Sequence, residues 1–207
     1  MLELKNLKFS YGEIPIQYPD WTVESCGQAL ILGTSGSGKT TLLHLICGLL
    51  TPADGSVIIN EQSLADFSQR KLDQFRGKNI GIVFQRPHLI KSLSVLENLK
   101  LAVRLSGKRV EKSKYDHVLS SLGIEELRSR KIHQLSEGQA QRASIARAVI
   151  HDPVLLVADE PTASLDDLNC ELVLNLLKNQ AKEHNSMLIV ATHDQRIKSA
   201  FSNQLEL

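Results

Sequence analysis

The chain has 207 residues, of which 42% are hydrophobic and 23% charged, with a formal net charge of +1. That suits one large globular domain with a sizeable core, and the charge points neither to nucleic acid nor to an anionic membrane surface. Cys26, Cys47 and Cys170 share no close spacing, so no metal or disulfide framework follows from them, and a reducing cytosol fits. No apolar run approaches the ~20 residues of a membrane helix.

Met1-Leu2-Glu3-Leu4-Lys5 alternates as a strand start rather than a secretory leader, and residues 2–9 predict a strand. Residues 17–24 predict a second, despite Pro19, and residues 28–32 a third. A helix over residues 39–50 ends before Thr51-Pro52-Ala53-Asp54-Gly55, a Pro/Gly turn. Residues 56–60 and 80–84 read as short apolar strands. From 94 to 123 the pattern turns helical, and a further helix starts at Ser136 or Glu137. Residues 154–158 and 187–192 are buried strands separated by a long helix over 167–184. Residues 194–201 predict a helix and 204–207 a last strand. Strands alternating with helices argue for a parallel sheet.

Gly33-Thr34-Ser35-Gly36-Ser37-Gly38-Lys39-Thr40 joins the third strand to the first helix. This is the P-loop pattern in its confirming context. Glycines let successive N–H groups curl around a triphosphate, and the following helix adds its positive dipole end. Lys39 would reach the β- and γ-phosphates, and the Thr40 hydroxyl would ligate Mg²⁺. Asp159 and Glu160 end an apolar strand. In a P-loop enzyme the first acid holds the metal shell, and the second polarises the attacking water as general base.

Leu135-Ser136-Glu137-Gly138-Gln139, followed by Gln141-Arg142 and Ile145-Ala146-Arg147-Ala148, resembles the signature segment of ATP-binding-cassette (ABC) transporter nucleotide-binding subunits. The resemblance covers essentially the whole chain. It implies an α/β fold: a RecA-like P-loop NTPase core with an antiparallel β subdomain (residues 1–85 and 151–207) and an inserted helical subdomain (86–150). Tyr11 resembles the aromatic that stacks on adenine. The phosphate loop would run from Gly33 through Thr41, including Thr34, Ser35, Gly36, Ser37, Gly38, Lys39 and Thr40. Gln85 matches the Q-loop glutamine near Mg²⁺, Ser164-Leu165-Asp166 the D-loop, and His193 the γ-phosphate switch. Ser136, Gly138, Gln139 and Asp166 would act across the interface of a head-to-tail dimer, either a homodimer or a pair with a similar subunit. Such a dimer would sandwich ATP and drive a separate transmembrane permease. No nucleic-acid partner is implied, and the location would be cytoplasmic, peripheral on the inner face of the cell membrane.

Glu137 departs from the family's usual glycine, and we expect its side chain to point away from the phosphate. Leu93-Ser94-Val95-Leu96-Glu97-Asn98-Leu99, after Arg86-Pro87-His88-Leu89-Ile90, resembles the compact ATPases of lipoprotein-release, macrolide-export and cell-division complexes. An apolar surface there would receive a partner helix; of Val95, Leu96, Leu99, Leu101 and Val103 most read as internal packing, whereas a few residues near 87–93 need not be. Two other classes stay open: an ATP switch that signals through a membrane protein without transport, and a soluble cassette ATPase.

Overall fold

A computed structural model describes residues 1–12, 14–163 and 165–207. In chain order the strands are β1 (Leu2–Tyr11), β2 (Ile14–Gln17), β3 (Trp21–Val23), β4 (Gln28–Leu32), β5 (Asp54–Ile59), β6 (Gln62–Ser63), β7 (Ile80–Val83), β8 (Leu155–Asp159), β9 (Met187–Thr192) and β10 (Asn203–Glu206). The helices are α1 (Lys39–Ile46), α2 (Gln69–Asn79), α3 (Val95–Ser106), α4 (Lys112–Ser121), α5 (Glu137–Val149) and α6 (Asp167–Glu183).

A parallel sheet in the order β10-β4-β9-β8-β7 carries the site. Alternate residues of its central strands feed two cores. Leu30, Leu156, Leu188 and Val190 face the layer of α3 to α6. Ala29, Ile31, Leu155, Val157 and Ile189 face α1 and the antiparallel sheet of β2-β1-β5-β6, with β3 also on β1. Burial on both faces is why β8 and β9 read as continuous apolar runs. The α/β expectation with its antiparallel and helical additions is met.

Several boundaries differ from the sequence reading. The expected strand over 17–24 is two strands. Lys8 pairs with Gln17, whereas Leu4 pairs with Trp21, so the chain changes partners along β1. At the crossing, Tyr18 N–H donates to Leu7 O (2.9 Å), and Asp20 Oδ1 accepts from Asn6 N–H (2.6 Å). Proline lacks the N–H that a continuous ladder would need. The first helix stops at Ile46, and the stretch 94–123 is two helices separated at 107–111. Residues 195–200 form 3₁₀ turns rather than an α-helix. α2 escaped the sequence reading because its core-facing stripe is only Leu72 and Phe75, both partly buried.

Candidate functional site

The P-loop geometry is fixed by close approach. A Cβ on Gly33 would lie 2.5 Å from Ser37 Oγ and 2.7 Å from Leu207 O. Gly38, with φ of 99°, occupies a backbone region closed to most side chains and starts α1. Buried Tyr18 braces it, its hydroxyl donating to Gly38 O (3.2 Å). Tyr18 was not singled out in the sequence, where nothing separates it from any other strand-edge aromatic.

Lys39 is 5% exposed and turns its ammonium back onto the loop, donating to Gly33 O and Thr34 O, both at 2.9 Å. Its Nζ also lies 3.5 Å from Glu160 Oε1. Thr40 Oγ1 donates to Asp159 Oδ2 (3.0 Å), joining the P-loop to the end of β8. The other carboxylate oxygen, Oδ1, is buried without a partner. Burial raises the Asp159 pKa, opposed by the Thr40 hydrogen bond and reinforced by the Glu160 charge.

Glu160 sits just past β8 at φ of 47°, an uncommon conformation for a residue with a side chain. Its N–H donates to Ala191 O (2.8 Å). Oε2 accepts from Thr192 Oγ1 at 2.8 Å and from His193 N–H at 3.3 Å, and His193 Nδ1 lies 3.0 Å from both oxygens. Burial works against its ionisation, but the His193 and Thr192 hydrogen bonds outweigh it and hold the carboxyl below its usual range. Thr192, fully buried, is a site residue that the sequence reading left inside a strand. Its signal was its position immediately before His193 at a strand end.

One cleft of about 410 Å³ gathers these groups. Ser35, Gly36, Gly38, Lys39, Thr40 and Thr41 form one side, and Gln85, Glu160 and His193 the other. Tyr11, 56% exposed, stands at the mouth, with Phe9 edge-on at 4.8 Å between ring centres. Gly33 and Thr34 line an adjoining pocket that also holds His193. Ser37 lines neither pocket, and its buried hydroxyl has no partner.

Ser136, Gly138, Gln139 and Asp166 lie outside this cleft. Ser136 caps α5 in a capping box: its Oγ accepts from Gln139 N–H (3.3 Å), and Gln139 Oε1 accepts from Ser136 N–H (3.0 Å). Gly138 and exposed Glu137 line a second cleft of about 290 Å³, which shares Gln85 and Glu160 with the first. Asp166 caps α6, accepting from Asn169 N–H (2.8 Å). Ser164, the first residue quoted for the D-loop, falls outside the described residues.

A glycine-rich phosphate loop, an acid-ended β8 and a histidine closing on the second acid together define a P-loop nucleotide-hydrolysing cassette. Residues 16–163 match the family model described as ABC transporter. The chain is 36% identical over 166 residues to the lipoprotein-releasing system ATP-binding protein LolD of Buchnera aphidicola, covering 79% of this chain and 73% of that one. Against the LolD of Legionella pneumophila the figures are 35% over 190 residues, 91% and 84%. Among solved structures, the ATP-binding cassette MJ0796, a dimer in a post-hydrolysis state bound to ADP and Pi, matches with a TM-score of 0.88 at 32% identity over 100% of this chain and 94% of that one. The cassette cbiO1 from Clostridium perfringens matches with a TM-score of 0.82 at 30% identity over 93% and 78%. The chain therefore belongs to the ABC transporter family and is an ATP-binding, ATP-hydrolysing subunit of it. The expected resemblance to the compact lipoprotein-release branch is borne out by these relatives.

Proposed function

We propose that the cleft at the end of β8 and β9 binds ATP and hydrolyses it with Glu160 as general base. The observation that carries this is the convergence of Lys39, Glu160 and His193 beside the Thr40–Asp159 pair. Tyr11 stacks on the adenine, and the loop from Gly33 to Thr41 wraps the phosphates. Lys39 exchanges its two loop carbonyls for phosphate oxygens. Glu160 orients and deprotonates the attacking water, while His193 leaves Glu160 to contact the γ-phosphate.

A magnesium ion fits the donor set. The unpartnered Asp159 Oδ1, the Thr40 hydroxyl and the Gln85 amide are oxygen ligands of the kind it takes. When bound it supplies neutralisation of phosphate charge.

Ser136, Gly138, Gln139 and Asp166 act on the nucleotide of a second cassette, head to tail, because they lie outside this chain's own cleft. Residues 86–150 form the helical subdomain that carries this second half-site; residues 1–85 and 151–207 form the core. The relatives named for lipoprotein release support a transmembrane permease as the other partner, and hence a cytoplasmic position on the inner membrane face. Among the described residues no helix is long and apolar enough to cross a membrane.

The test is steady-state ATPase activity with and without Mg²⁺. Glu160→Gln should lower turnover by about 10²-fold or more, the usual contribution of a positioned base. Unchanged turnover would remove Glu160 from the chemistry.

A further inference from the structure

Arg196 lines neither cleft, yet its guanidinium joins two segments that are distant in sequence. Nε donates to both carboxylate oxygens of Asp194, at 2.9 and 3.1 Å, and Nη2 donates to Oδ2 at 2.7 Å. The same Nη2 donates to Leu165 O (3.2 Å), and Nη1 donates to Asp167 on the first turn of α6. Leu165 and Asp167 flank Asp166. Leu165 belongs to no helix or strand, and its carbonyl takes this donor in place of a ladder partner.

Asp194 carries the other end of the link. Its N–H donates to Thr192 Oγ1 (3.0 Å), and that hydroxyl donates to Glu160 Oε2 (2.8 Å). Buried Thr162 and buried Cys170 also donate to Asp194 Oδ2, at 3.4 and 3.7 Å. One hydrogen-bonded path therefore runs from Glu160 through Thr192, Asp194 and Arg196 to the two neighbours of Asp166. His193 sits between Thr192 and Asp194, with its ring on Glu160. Asp194 also caps the 3₁₀ turn at 195–200, accepting from Arg196 N–H (3.0 Å). That cap needs only the backbone of residue 196. It does not call for a planar fork with one amino group on Leu165 and the other on Asp167.

Resting on the reading of Asp166 as a residue that meets the second cassette, we infer that Arg196 is a positioning residue, holding the D-loop in register with the loop that carries His193. When His193 leaves Glu160 for the γ-phosphate, residues 192–196 shift, and the fork carries Leu165, Asp166 and Asp167 with them. ATP in one cleft thereby sets where Asp166 is presented to the other cassette. A lysine at 196 keeps a charge opposite Asp194, but its single ammonium on a flexible stem cannot hold all three partners in one plane. The Arg196 side chain is 43% exposed, so its ion pairs contribute little to stability and its replacement leaves the fold in place.

The test uses the full chain carrying Glu160→Gln as parent. A fluorescent ATP analogue at low protein concentration reads the single cleft, and light scattering with ATP over a protein dilution series reads the dimer. Arg196→Lys should bind the analogue within about twofold of the parent but need at least about tenfold more protein to dimerise. Arg196→Ala should match Arg196→Lys. In a chain that already carries Asp166→Ala, adding Arg196→Lys should weaken dimerisation by less than about twofold, because both changes act on the same contact. Dimerisation of Arg196→Lys within about twofold of the parent, or a further loss of about tenfold on top of Asp166→Ala, overturns the role of Arg196 and leaves the composite site intact. Loss of analogue binding in Arg196→Lys overturns it too, because Arg196 would then shape its own cleft. A parent that binds ATP and stays monomeric overturns the composite site and the coupling with it.

Discussion

His151 offers a prediction whose size follows from one buried ring. Burial, with the Lys108 ammonium beside it, pushes its pKa from 6.5 down to about 4. In the unfolded chain the ring takes a proton below about pH 6.5, but in the folded chain it stays neutral until about pH 4. The unfolded state therefore binds more protons in this window, so stability falls as pH drops through 6.5 and stops falling for this group near 4. At pH 5 the unfolded ring is almost fully protonated and the folded ring about one-tenth so, which corresponds to about 2 kcal/mol lost relative to neutral pH. His151→Leu removes the titrating group and the two unpartnered nitrogens while keeping the backbone carbonyl that accepts from Lys108 Nζ. Urea unfolding followed by fluorescence of the single tryptophan, Trp21, 9% exposed, reads the effect. Wild type should lose about 2 kcal/mol more than His151→Leu between pH 7 and pH 5. Equal losses in the two proteins would refute the buried neutral ring.

Other substitutions probe the nucleotide cleft. Gly33→Ala should weaken ATP binding about tenfold or more, because its Cβ lies 2.5 Å from Ser37 Oγ; equilibrium titration with a fluorescent ATP analogue measures it. Tyr11→Phe should bind ATP within about twofold of wild type, whereas Tyr11→Ala should lose about tenfold, since stacking and not the hydroxyl carries the contact. Glu137→Gly should leave turnover within a few-fold, since Glu137 is exposed on the first turn of α5, where an acid also suits the helix dipole.

The parts of the cleft that depend on spacing were legible in the sequence. The P-loop, the two acids ending β8 and the histidine ending β9 are local patterns, and strands buried on both faces announce themselves as apolar runs. What escaped depends on partners distant in sequence. Thr192 matters through Glu160, thirty-two residues away, and Tyr18 through Gly38, twenty residues away. α2 was invisible because it offers the core only Leu72 and Phe75, both partly buried, too few apolar positions to stand out as a stripe.

The central claim is that Ser136 and Gly138 complete the ATP site of a second cassette. The most direct measurement is light scattering of Glu160→Gln with and without ATP. The account predicts a shift from 23.0 kDa to twice that mass on adding ATP, reversed when Ser136→Arg is added to the same chain. A protein that binds ATP, has lost hydrolysis and still scatters as a 23.0 kDa monomer would contradict the composite site.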